Sequence, residues 1–193
     1  MLSSINLIIG LQGSGKTLFM IKEAHNLFKK GYKIVSNVAL TFKYEPIDYN
    51  KIVNCEYEHC VILIDELHRL LPSRRSLSKT SVAIVDGFLS MCRKKDIIIL
   101  GTTQLEYKVD CRYRDEAINW YRCTRYAYIN KQWIQIMHNQ KLDKNIIIGI
   151  EVLEINTYET NEKRKYSIQK FIGNKWFNFY DTHEIIKIEG LKT

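Results

Sequence analysis

The stretch from Ile5 to Thr17, INLIIGLQGSGKT, holds the residues whose types and spacing most clearly imply chemistry. A short apolar run (Ile5, Leu7, Ile8, Ile9) breaks at Gly10, the turn Gly10-Leu11-Gln12-Gly13-Ser14-Gly15 follows, and Lys16-Thr17 open a helical pattern that begins in earnest at Leu18. Glycines at this spacing keep Cβ atoms out of the way, so that successive backbone N–H groups can curl around phosphates. Lys16 would then reach the β- and γ-phosphates as a point charge and the Thr17 hydroxyl would bind Mg²⁺. The start of the helix would face the anion with its positive dipole end. The bland alternative is a glycine-rich turn that binds nothing. The strand, turn and helix context around the motif argues against it.

A second set of reactive groups lies in Cys60 to Glu66, CVILIDE. Four apolar residues in a row read as a strand buried on both faces of a parallel sheet, with two carboxylates at its C-terminal end, where ligands of open α/β sheets sit. Asp65 would hold Mg²⁺ through its water shell, and Glu66 would polarise a water toward the γ-phosphate. The competing reading of Glu66 is a first-turn carboxylate of the next helix. Gln104 follows the run DIIILG and Thr102-Thr103, so it could reach a γ-phosphate or its water. Asn37 could face the nucleotide too, although a strand-end turn suits it better. Between Lys108 and Arg125, Arg112, Arg114, Arg122 and Arg125 interleave with Tyr107, Tyr113, Trp120 and Tyr121. That mixture suits phosphate and base-stacking contacts, a subunit interface, or a lattice with Asp110, Asp115 and Glu116.

The elements that must position these groups follow from periodicity. Leu18, Phe19, Ile21, Ala24, Leu27 and Phe28 recur at helical spacing, with Gly31 at the C-cap. Lys33 to Leu40 reads as a strand, and a short helix is expected after Pro46-Ile47-Asp48. Val82 to Cys92 marks a second long helix that closes on Arg93-Lys94-Lys95 and leads into the Asp96 to Gly101 strand. Pro72 ends the helix that Leu67 starts, and Ser73 to Thr80 (Arg74, Arg75, Lys79) is polar. From Asn119, two alternating segments flank Asn130-Lys131 as an antiparallel hairpin. Ile146 to Ile155 and Lys165 to Ile172 add strands around a turn at Asn161 to Arg164. A turn at Gly173-Asn174-Lys175 leads to a last aromatic strand, Trp176 to Tyr180. The expected fold is α/β, a mostly parallel sheet flanked by helices with a C-terminal antiparallel β extension. Residues 1–125 form the core and 126–193 an extension of the same domain.

The chain of 193 residues carries a net charge of +8, which favours a polyanionic partner without naming it. Apolar runs stop short of the ~18 residues of a membrane span, and no signal-peptide pattern is present, so a soluble, cytoplasmic protein is expected. The five cysteines form no CxxC pair and the histidines have no ligand spacing, which argues against a disulfide framework and a zinc site.

Taken together, GLQGSGKT, VILIDE, the arginine in MCRKKD and the run IILGTTQ resemble the FtsK/HerA group of P-loop ATPases. Within it the chain is most similar to the Zot-like phage assembly ATPases and to small viral genome-packaging ATPases. The resemblance covers roughly residues 2–125; further on, FNFYDTHEII is similar to the close of related viral ATPases. It implies an ATP site over Gly10, Gln12, Gly13, Ser14, Gly15, Lys16, Thr17 and Leu18, with Mg²⁺ on Thr17 and Asp65 and Glu66 as catalytic carboxylate. It makes Gln104 the γ-phosphate sensor and Arg93 the leading arginine finger given to a neighbouring subunit, with Arg112 and Arg114 behind it. It further implies a hexameric ring on DNA, double-stranded and read without regard to sequence, in the host cytoplasm or associated with a virion and its capsid proteins. The Zot-like branch carries a membrane-spanning segment that is missing here, and this favours genome packaging over extrusion. Packaging is thus the leading expectation, and virion or filament assembly through a protein substrate the second. The segment Ser73 to Thr80 is a candidate pore loop or, equally, a solvated surface loop.

Overall fold

A computed structural model describes residues 4–69, 87–136, 146–156 and 167–185. The candidate pore loop at 73–80, the helix end at Pro72, the first part of the second long helix and the turn at 161–164 lie outside these residues. The N-terminal strand β1 (Ile5–Ile9) is buried along its whole length and runs into the glycine loop and helix α1 (Lys16–Phe28). Strand β2 (Lys33–Ser36) and β3 (Val38–Leu40) follow, then the short β4 (Glu45–Pro46), helix α2 (Tyr49–Val53) and the fully buried β5 (Cys60–Ile64). Helix α3 (87–92) leads into β6 (Ile97–Thr103), and α4 (Cys111–Glu116) into the long β7 (Asn119–Ile129). The chain continues through β8 (Gln132–Gln135), β9 (Ile147–Asn156), β10 (Ser167–Ile172) and β11 (Tyr180–Ile185).

One sheet carries the order β10-β9-β7-β1-β6-β5-β2-β4, with β8 alongside β7. The strands from β7 to β4 pair in parallel, β1 lying between β6 and the first part of β7. From β7 outward the pairing with β8 and β9, and of β9 with β10, is antiparallel. The expected mixed architecture is therefore present, and β7 belongs to both regimes. Its hairpin turn at Asn130-Lys131 has both residues at positive φ (51° and 63°), the backbone that matches strand twist in a two-residue turn.

Two apolar layers cover the sheet. On one face α1 lays Leu18, Phe19, Ala24 and Leu27 over Ile8, Val61, Leu100, Tyr121 and the β9 residues Ile148, Ile150 and Val152. On the other, Phe88, Leu89 and Cys92 of α3 and Tyr113 of α4 meet Leu7, Ile62, Ile64 and Ile99. Alternate residues of β1 and β5 thus serve opposite layers, which is why both read as unbroken apolar runs.

Two expectations need correction. Lys33 to Leu40 is not one strand, because the Ser36 hydroxyl both accepts from the Val38 amide (2.9 Å) and donates to its carbonyl (2.8 Å), turning the chain at Asn37. β3 leaves the main sheet and pairs with β11. Trp176 to Phe179 is not a strand either: Gly173–Phe179 winds into a 3₁₀ helix and the strand begins only at Tyr180. The Asn174 side chain fixes the start of that helix by accepting from the Ile148 amide (2.6 Å) and donating to the Ile146 carbonyl (3.0 Å). Trp176 and Phe179 then set their rings edge-on to His25 of α1, at 5.6 and 4.9 Å between centroids.

Candidate functional site

The glycine loop closes over the C-terminal edge of the parallel strands. Gly10, Gly13 and Gly15 take φ of 151°, 71° and 94°. A Cβ at Gly10 would lie 2.8 Å from the Cys123 carbonyl oxygen, and one at Gly15 would lie 2.3 Å from Ile150 Cδ1, so both positions need glycine for space as well as for backbone. Helix α1 starts at Gly15 with no side-chain cap and no acidic residue in its first turn, which leaves its positive end directed at the loop. The Ser14 hydroxyl is buried in the loop with no hydrogen-bond partner among the described residues. Lys16, 7% exposed, donates to the Leu11 carbonyl across the loop at 3.0 Å. Burial pulls its ammonium below the usual lysine range, and the Asp65 and Glu66 carboxylates push back.

The acidic pair enters from β5, two strands away. The Thr17 hydroxyl donates to Asp65 Oδ1 at 3.1 Å, so the loop and the carboxylate meet directly. Thr102, at the same level on the intervening β6, donates to the same oxygen at 2.5 Å and accepts from the Glu66 amide at 3.0 Å. Asn37 clamps the other side: it accepts from the Asp65 amide (2.8 Å) and donates to the Asp65 carbonyl (3.0 Å). Burial raises the Asp65 carboxyl above the ordinary range while the Thr102 and Thr17 hydroxyls draw it back down. Glu66 sits in the left-handed region (φ 57°), half-buried, with Oε2 3.4 Å from His68 Nε2.

Since Ile9 is in register with Thr103, Gln104 emerges beside Gly10, half-buried, on the edge that carries Asp65. Gly10 to Leu18, Asp65, Glu66 and Gln104 are therefore gathered at one edge of the sheet. Arg93 is not among them. It is exposed, just past α3 and before the start of β6, at the opposite edge, roughly 20 Å of strand from its own chain's loop. Arg112 is held by Asp110, with Nε and Nη2 donating at 2.8 and 2.6 Å. Of the three readings of the arginine and tyrosine stretch, the ionic lattice thus holds for that residue. The role of Thr102 was missed from sequence, and Asn37 is the strand-end turn residue expected but also clamps Asp65. A threonine or asparagine at a strand end has no local signature, and only strand register brings either one to Asp65.

A hydroxyl and a carboxylate oxygen this close, Thr17 Oγ1 and Asp65 Oδ1, are the hard oxygen donors that would suit a divalent cation. Among the described residues no cluster of three or more His, Cys, Asp or Glu is placed to hold a metal ion.

Residues 6–126 match the model of the ATPase family associated with various cellular activities (AAA), and the chain belongs to this family. It is an AAA-type P-loop ATPase domain, of a family that binds nucleotide. No curated protein matches the sequence significantly. Among solved structures, the chain is similar to the N-terminal domain of zonular occludens toxin from Neisseria meningitidis (20% identity, TM-score 0.63, covering 94% of this chain and 100% of that one). It also resembles the genome packaging NTPase B204 from Sulfolobus turreted icosahedral virus 2 (13% identity, TM-score 0.56, 86% and 96% covered). A third similar structure is B204, the DNA-packaging ATPase from Sulfolobus turreted icosahedral virus (15% identity, TM-score 0.53, 86% and 96% covered). At these identities the likeness is one of fold. Among the described residues no helix is long and apolar enough to cross a membrane.

Proposed function

We propose that the chain is a Mg²⁺-dependent ATPase of the FtsK/HerA group that moves double-stranded DNA, without reading sequence, as a hexameric ring that packages a viral genome. The observation that carries the catalytic part is the 3.1 Å contact between Thr17 and Asp65, which makes loop and acidic strand one site. Thr17 and Asp65 would hold Mg²⁺, which supplies positive charge to the phosphate oxygens. Lys16 binds the β- and γ-phosphates, and the amides of Gln12 to Leu18 cradle them. Glu66 takes a proton from the attacking water, and Gln104 hydrogen-bonds the γ-phosphate from the neighbouring strand. Arg93, too far from its own loop, acts in the next subunit's site, with Arg112 and Arg114 as the other candidates. Residues 1–125 serve as motor core and 126–193 as its β extension, working in the host cytoplasm or on a virion with its capsid proteins.

The net charge of +8 and the likeness to a genome packaging NTPase support DNA as the polyanion. The likeness to the zonular occludens toxin domain supports a second reading, an ATPase that drives virion or filament assembly through a protein. Steady-state turnover separates them. Duplex DNA should raise ATP hydrolysis, Lys16→Ala should abolish nucleotide binding, and Glu66→Gln should keep binding while turnover falls by about 100-fold or more. Normal turnover in Glu66→Gln would remove the catalytic assignment. Stimulation by a coat protein and not by DNA would favour assembly.

A further inference from the structure

Arg125 is the one arginine of β7 that shares a face with the glycine loop. Its neighbours in alternation, Cys123 and Ala127, are buried in the layer over α1, whereas Arg122 and Tyr126 belong to the opposite face. The Cys123 carbonyl touches the position of Gly10, so Arg125 stands roughly 7 Å further along the strand, just past the loop. Across the ladder it is in register with Ile150, the residue whose Cδ1 abuts Gly15. Its guanidinium is half-buried, and Nε has no hydrogen-bond partner among the described residues. Burial lowers its affinity for the proton from the usual arginine range. A buried donor left unsatisfied at Nε costs free energy that an incoming anion would return.

The orientation of the nucleotide follows from the acidic pair. Asp65 and Glu66 reach the loop from the β6 side of β1, so the terminal phosphate lies toward them and the nucleoside end lies toward β7. The loop is flanked by β6 on one side and β7 on the other. We infer that Arg125 is a nucleotide contact in its own subunit, donating to the α- or β-phosphate from the nucleoside side of the loop. This rests on the assignment of the glycine loop as an ATP site. It does not depend on a ring, on DNA or on an arginine from a neighbour.

The test is calorimetric titration of the full chain with ADP, which carries both phosphates and leaves the γ position out. Arg125→Gln should bind ADP about tenfold or more weakly, with Arg122→Gln, on the opposite face, unchanged within about twofold. Arg125→Lys, which keeps the charge and loses the fork, should fall between them. Should the glutamine variant fail to fold, the lysine variant carries the test, and wild-type affinity there overturns the inference. A folded Arg125→Gln that binds ADP like the wild type overturns it as well and leaves the ATP site intact. A wild-type chain that binds no ADP overturns the site assignment and this inference together.

Discussion

At the scale of single residues, the aim of the acidic pair depends on a hydroxyl that has no place in the usual description of a phosphate loop. Thr102 bonds both Asp65 Oδ1 and the Glu66 amide, and Glu66 holds a left-handed backbone that few non-glycine residues adopt without support. Thr102→Val keeps the shape and removes both bonds. We expect turnover to fall by about 10- to 100-fold with a smaller change in nucleotide affinity. The loss of stability should be about 1–2 kcal/mol by thermal melting. Unchanged turnover would mean that Asp65 and Glu66 are aimed without it. The loop glycines give a second test because their neighbours differ. Gly15→Ala meets the flexible end of Ile150, while Gly10→Ala meets the Cys123 backbone carbonyl. Each should cost about 1–3 kcal/mol through its positive φ and the clash. Adding Ile150→Ala should return part of the loss in Gly15→Ala and none in Gly10→Ala, as read by paired melting curves.

At the scale of elements, α4 shows how a short helix is fixed by its first residues. The Asp110 carboxylate accepts from the Arg112 amide at 3.0 Å and from the Arg112 guanidinium, and Tyr113 buries its ring with its hydroxyl donating to the Asn6 carbonyl at 2.9 Å. The hydrogen bonds from Arg112 hold Asp110 below the ordinary carboxylate range. A depressed acid stabilises the fold above its unfolded pKa and loses that contribution as pH falls through the folded value. Asp110→Ala should therefore cost about 1–2 kcal/mol near neutrality. The gap to wild type should close below the ordinary range of about pH 4 in a pH series of denaturant melts. The same element scale decides what could be read in advance. Strands β1 and β5 were legible because burial on both faces forces apolar runs, and α1 because its apolar stripe follows the helical period. The break at Asn37 was not, since it depends on one serine side chain satisfying Val38. The 3₁₀ turn after Gly173 was misread because Trp176, Phe177 and Phe179 have strand-like composition, while the deciding contacts, Asn174 to β9 and the rings to His25, are distant in sequence. The parallel pairing of β7 with β1 was hidden for the same reason: alternation shows a strand, and its partner is set elsewhere in the chain.

At the scale of the whole molecule, the continuous sheet seals most of its thiols. Burial pushes Cys60, Cys92 and Cys123 up to about 12, whereas Cys111 is exposed. Alkylation of the native chain at mildly alkaline pH should label Cys111 first, and these three only after unfolding, as followed by intact mass. Early labelling of Cys123 would show that β7 parts readily from the loop. That strand runs without interruption from Asn119, beside β1, to Ile129 at the hairpin tip, and its carbonyl at Cys123 rests against Gly10 midway. Hairpin tip and phosphate cradle therefore share one uninterrupted backbone, braced along its length by β8 and β9.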